Sequence, residues 1–290
     1  MMVRPTKLNP IGRIIFSPKI TRHIHEYLIL RKYRFLINGA RLSVDAFPNL
    51  GQDSEYHSCA ETSLVNLLGY FSKYDMYNEK LPSEIVLSVD ALRANRATPS
   101  DGLVSEEICF LLKKFGFSVK KYVKSHIDSV TFNMILNDYV ESGLPTIAIL
   151  EHKNSYHATL IIGHESLKEK VARISSAPYK ERDMNLIDSI EVYDEKRYVF
   201  IDDNYPPYMT GTLSKPCEYY ESRFKDATIF ELIVPLDKRI HIDSTRIRSI
   251  VSAILETEKL NILKIKLLEC DTYPYIKRFC LTTSNSLKNF

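Results

Sequence analysis

The spacing of apolar positions changes partway along the chain. From about 59 to 142 they recur every three to four residues, and from 145 onward they come in short apolar runs divided by turns. In the first half, Ala60, Leu64, Leu67, Leu68 and Phe71 share one stripe of a helix that begins at Cys59. Ser58 stands at its N-cap position and Glu61 three residues on, the pattern of a capping box. A second helix is expected near Ser83–Arg96. A third runs over Ser105–Phe115, with Ile108, Leu111 and Leu112 inward and Gly116 as its stop. Phe117–Val123 reads as a short strand, and Ser129–Ser142 as a helix that ends at Gly143.

The second half has strand character. Pro145–Glu151 is apolar and β-rich, His152-Lys153-Asn154-Ser155 is a hairpin loop, and His157–Gly163 is the return strand. Glu191–Tyr193, Arg197–Ile201 and Phe230–Pro235 are further strands, and Asp243–Glu256 is an amphipathic helix. The charged stretch at about 165–190 reads as an excursion, Ile24–Ile37 as a helix or strand, and Leu260–Leu268 as a further strand. Helices followed by antiparallel strands indicate an α+β fold rather than alternating βαβ units. The expected division is a basic N-terminal extension over 1–46, a main domain over 47–235, and a helix/strand extension over 236–290.

Charge sharpens that division. Residues 1–46 carry nine Lys/Arg against two Asp/Glu, and residues 236–290 ten against six, so a chain of net charge +3 has an acidic middle between basic flanks. Such flanks suit a solvated face, contact with the acidic middle, or a protein partner. No nucleic-acid motif accompanies them, so nucleic acid is not the expected ligand. The five cysteines, at 59, 109, 217, 270 and 280, form no CxxC pair, which argues against a disulfide framework and a structural zinc site and fits a reducing, cytoplasmic setting. No apolar leader and no run of roughly 18 uncharged apolar residues occurs, so neither a secretory signal nor a membrane helix is expected. There is no glycine-rich phosphate loop and no GxSxG elbow, and no cofactor is implied.

The candidate chemistry is nucleophilic. The segment Gln52-Asp53-Ser54-Glu55-Tyr56-His57-Ser58-Cys59-Ala60-Glu61 places a cysteine at a helix start. There unpaired N–H groups and the helix dipole favour the thiolate, which is the nucleophilic form. Tyr156-His157-Ala158-Thr159-Leu160-Ile161-Ile162-Gly163 places a histidine on an apolar strand, where it can serve as general base and acid. Tyr198-Val199-Phe200-Ile201-Asp202-Asp203-Asn204 ends a strand in two acids, one of which can orient the imidazole. Strand alternation would point only one of Asp202 and Asp203 at His157. The backbone N–H of Cys59 and the side-chain amide of Gln52 could bind the oxyanion of an acyl-transfer step. His57, two residues before Cys59, is a weaker candidate base. His152 and His164 lie near His157 without a tight metal-ligand spacing.

These segments resemble the papain-like cysteine peptidases, and most closely the bacterial bacteriocin-processing (double-glycine leader) peptidase domains. Gln52 precedes Cys59 as the family's oxyanion glutamine precedes its nucleophile. Gly143-Leu144-Pro145 through Gly163 follows the family's run of small residue, proline, apolar strand, hairpin, histidine, apolar strand and glycine. Tyr198 through Asp203 follows its acid-bearing strand. The resemblance implies a papain-like fold, with N-terminal helices packed on a C-terminal antiparallel sheet. It also implies a Cys59–His157–Asp203 triad, with Asp202 in reserve, that cuts a peptide or isopeptide bond through a thioester. The same triad could transfer the acyl group to an amine, and the same scaffold could be an inactive binding module.

Overall fold

The computed structural model describes residues 11–20, 25–52, 59–72, 85, 88–89, 102–165, 196–240, 242–255 and 257. Its strands are β1 (Ile11–Ile14), β2 (His25–Leu28), β3 (Arg31–Ile37), β4 (Ala40–Ala46), β5 (Asn49–Gln52), β6 (Phe117–Val123), β7 (Thr146–His152), β8 (Ser155–Glu165), β9 (Arg197–Ile201), β10 (Met209–Thr212) and β11 (Thr228–Asp237). Its helices with defined bounds are α1 (Cys59–Phe71), α2 (Ser105–Lys114), α3 (Ser129–Glu141) and α4 (Ser244–Leu255). The fold is α+β, built on a seven-stranded sheet of order β10-β9-β8-β7-β11-β6, with β2 paired to β8. Every described pairing in that sheet is antiparallel.

The local signals convert directly into elements. The β7–β8 hairpin turns through Lys153 and Asn154, both at positive φ (45° and 63°), the geometry of a two-residue turn that matches strand twist. Asp128 caps α3 by accepting the N–H of Thr131 at 2.9 Å. Gly116, at φ 93°, follows α2 as its stop. The expected second helix is described only at Ile85, Ser88 and Val89, which are helical. Ser58 of the capping box, the excursion at 165–190, the expected strand at Glu191–Tyr193 and the expected strand at Leu260–Leu268 lie outside the described residues.

Helix α1 is the centre of the core. Its expected stripe is buried, and so are Glu61, Thr62, Ser63 and Asn66 on its other sides. The helix is therefore enclosed nearly all round rather than half-exposed. Its sequence is polar on one side because that side meets main-chain and polar groups: Ser63 Oγ donates to the carbonyl of Ala158 at 3.2 Å. Leu64 and Leu67 share one cluster with Ile147, Leu160, Val199 and Phe200 of the sheet.

The residues expected to form an N-terminal extension are woven into this body where they are described. β1 pairs with β5, and β2 lies along the late half of β8 while β7 takes the early half. Gly163 permits that approach, since a Cβ there would stand 2.3 Å from the Tyr27 carbonyl oxygen. Tyr208 Oη donates to the Phe16 carbonyl at 2.7 Å and accepts the Phe47 N–H at 2.9 Å. At the other boundary β11 runs on to Asp237. α4 beyond it is joined to α3 by Arg248 Nε donating to Asp138 Oδ2 at 3.1 Å and Ser244 N donating to Tyr139 Oη at 3.2 Å.

Candidate active site

Three elements bring the candidate residues together. α1 begins at Cys59 directly beneath β8, and the main-chain N–H of Ala158 donates to Cys59 Sγ at 3.5 Å. His157 precedes Ala158 on β8 and is buried. β9 lies on the other side of β8 and ends at Ile201, so Asp202 and Asp203 follow at the level of the histidine.

His157 Nε2 lies 3.2 Å from Asp202 Oδ1 and 3.6 Å from Asp203 Oδ1. The hydrogen bond therefore goes to Asp202, whereas the resemblance implied Asp203 with Asp202 in reserve. Both carboxylates reach the imidazole because they lie past the last strand residue, where the alternation of a pleated strand no longer applies.

The two acids have opposite surroundings. Asp202 Oδ1 accepts from His157 and from the Asn204 N–H at 3.0 Å, while Oδ2 accepts from Tyr219 Oη at 3.1 Å and Tyr220 Oη at 2.7 Å. Neither oxygen of Asp203, whose side chain is 2% exposed, receives a hydrogen bond among the described residues. Burial opposes charge on Asp202, but the imidazole, the Asn204 N–H and the Tyr220 hydroxyl hold it below the ordinary carboxylate range. Burial, reinforced by the neighbouring Asp202 charge and only partly offset by His157, pushes Asp203 up to about 7. For His157, burial disfavours the imidazolium. The Asp202 charge and hydrogen bond, and then the Cys59 side chain, outweigh it and hold the imidazolium well above the usual histidine range.

A cavity of about 650 Å³ opens over Cys59 and His157. Leu103, Val104, Ile149, Phe224 and Phe230 give it apolar walls, and Ser105, Asn154, Ser155 and Asn204 give polar edges. The Phe224 ring meets His157 edge-on, with centroids 6.0 Å apart. Gln52 ends β5, and its neighbour Gly51 lies against the Asp203 carbonyl, 3.5 Å from where a Cβ would stand. The Gln52 side chain and His57 lie outside what the structure describes.

No protein-family model matches the chain, and no curated protein is significantly similar to it.

Tyr219 and Tyr220 carried no signal in the sequence. They leave a turn at Pro216–Tyr219 that matches no motif, and their contact with Asp202 exists only once that turn folds back under β9. Cys217 in the same turn is buried, and burial with the Asp202 charge pushes its thiol up to about 12, which disfavours it as a nucleophile. His152 packs on Phe224, and His164 bonds Glu141 Oε1 at 2.8 Å and stacks on Tyr27, so neither joins His157.

Proposed function

We propose that this protein is a papain-like thiol hydrolase, most simply a cysteine peptidase cleaving a peptide or isopeptide bond. The observation that carries the reading is that His157 is held by the four-donor Asp202 carboxylate while the main-chain N–H of Ala158, next to it on β8, donates to Cys59 Sγ. In this mechanism Cys59 Sγ attacks the substrate carbonyl, and its proton resides on His157. The imidazolium then protonates the departing amine, leaving a thioester on Cys59. Water enters the same position, loses a proton to the imidazole, and releases the acid and the free thiol. Asp202 fixes the ring orientation and stabilises its charged form, the role of the acid in a nucleophilic triad. The Cys59 main-chain N–H and the Gln52 amide receive the oxyanion.

The test is the alkylation rate of Cys59 by iodoacetamide between about pH 5 and pH 9, read by peptide mass spectrometry, in the wild type and in His157→Ala. Fast reaction that persists on the acid side and disappears in the variant supports the reading. An ordinary thiol titration in both proteins sinks it. Product masses after incubation with a peptide and an added amine then separate hydrolysis from acyl transfer.

A further inference from the structure

Three ligand-type atoms converge at the end of β9. His157 Nε2, an Asp202 carboxylate oxygen and an Asp203 carboxylate oxygen all lie within 4.8 Å of one another. A triad needs one acid there, and the chain supplies two. Asp202 is consumed by its four donors, but Asp203 is enclosed, aimed at Nε2 and without a hydrogen-bond donor among the described residues. With one imidazolium facing two enclosed carboxyls, the second acid can ionise there only against its surroundings, and a further positive charge at this point would compensate it.

We propose that His157, Asp202 and Asp203 form a binding site for a single divalent cation of the zinc class, taken up in place of the proton on Nε2. The separations suit it. Ligands on one tetrahedral zinc, with bonds of about 2.0–2.2 Å, stand roughly 3.3–3.6 Å apart. The two carboxylates lie 3.2 and 3.6 Å from Nε2. One imidazole and two carboxylates make a donor set for zinc, whereas magnesium would keep several waters that this enclosed position has little room to hold. Tyr219, Tyr220 and the Asn204 N–H already orient the Asp202 carboxylate, as groups behind a metal ligand do. Asn204, next to Asp203, lines the open cavity, so the ion's approach is from the substrate side.

Binding forms one Nε2–metal bond and two carboxylate–metal bonds and releases to solvent the Nε2 proton together with any proton held by Asp203; no electron is transferred. The consequence for catalysis rests on the thiol-hydrolase reading. A metal on Nε2 removes the Asp202–His157 hydrogen bond and holds the acid away from its role, so zinc acts as a brake.

The experiment titrates zinc chloride into the full chain against a chelator of known affinity, with calorimetry and melting temperature as readouts. The wild type and Cys59→Ala are expected to bind one ion with similar affinity and to melt higher with it. Asp203→Asn and His157→Ala are expected to lose about 100-fold or more in affinity. Circular dichroism of the metal-free variants confirms that they are folded. No zinc binding at micromolar concentrations in the wild type, undiminished binding in folded Asp203→Asn and His157→Ala, or loss of binding in Cys59→Ala would each overturn the proposal. Alkylation of Cys59 in the metal-free protein is read separately. Zinc binding with an unactivated thiol would leave the site standing and remove only the hydrolase reading.

Discussion

Asp202 and Asp203 are sequence neighbours aimed at one imidazole nitrogen, at 3.2 and 3.6 Å, and they differ in what else they touch: four donors for the first and none among the described residues for the second. The environments push their proton affinities apart, which is how adjacent acids come to hold different roles. Asp202 is held as the anion. Burial pushes Asp203 toward its protonated form.

That division sets the ranking of two isosteric variants. On the thiol-hydrolase reading, Asp202→Asn is expected to slow Cys59 alkylation by about tenfold or more, and turnover by on the order of 10³–10⁴-fold, through loss of ring orientation and charge support. Asp203→Asn is expected to stay within about tenfold of the wild type. Parallel rate measurements on the two variants decide it, and a larger loss in Asp203→Asn would reverse the assignment.

Stability should respond to pH with a definite sign. The Asp203 carboxyl sits at about 7 in the folded state against an ordinary 3.8, so the folded protein holds this proton more tightly than the unfolded chain. Stability from this group is fully present below the unfolded value and is lost as pH rises toward about 7. Asp203→Asn removes the ionisation. Its melting temperature relative to wild type should therefore rise from about pH 4 to about pH 8, measured by scanning fluorimetry at fixed ionic strength. A flat difference would mean that Asp203 ionises normally.

Tyr220 donates to Asp202 at 2.7 Å and stands 3.3 Å from His157 Nε2. Tyr220→Phe keeps the ring and removes one bond to a buried anion, so it should destabilise the protein by about 1.5–3 kcal/mol in urea unfolding. On the thiol-hydrolase reading it should also slow Cys59 alkylation. A stability loss with an unchanged reactivity profile would assign the hydroxyl to packing alone.

Gly163→Ala tests whether the N-terminal strand is integral. Its Cβ would stand 2.3 Å from the Tyr27 carbonyl oxygen and 2.7 Å from Leu28 Cδ2, so β2 must shift or detach. The expected cost is about 1–3 kcal/mol, with hydrogen exchange faster at Ile29, whose N–H donates to the Ile162 carbonyl at 2.8 Å. Unchanged exchange there would show that β2 adjusts in place.

Leu64 is fully buried in α1, in one cluster with Ile147, Leu160, Val199 and Phe200 of the sheet. Leu64→Ala should cost about 2–5 kcal/mol in urea unfolding, because packing this complete cannot collapse on the gap. A smaller loss would mean that α1 is less tightly enclosed than its burial indicates.

Much of the architecture was legible locally. The stripe from Ala60 to Phe71, the caps and stops around Ser105–Phe115 and Ser129–Ser142, and the Lys153-Asn154 turn are short-range signals, and each became the expected element. The chain order of a helix-start cysteine, a strand histidine and a strand-end acid also selected the residues that the fold gathers. Their spacing along elements was legible because side-chain direction follows period.

The sequence by itself determined the main helices and the hairpin of the central sheet, the α+β class, and the candidate residues for thiol chemistry as an expectation, because backbone periodicity and capping depend on neighbours a few positions away. Only the tertiary structure decided that β2 joins the central sheet beside β8, that α1 is enclosed on nearly every side, and that the His157 hydrogen bond goes to Asp202. Those outcomes depend on partners far apart in the chain: a glycine at 163 that lets a distant strand approach, and tyrosines at 219 and 220 that satisfy an anion at 202. Contacts of that range leave no periodic trace. Two adjacent aspartates look interchangeable until the fold surrounds one with donors and leaves the other without them.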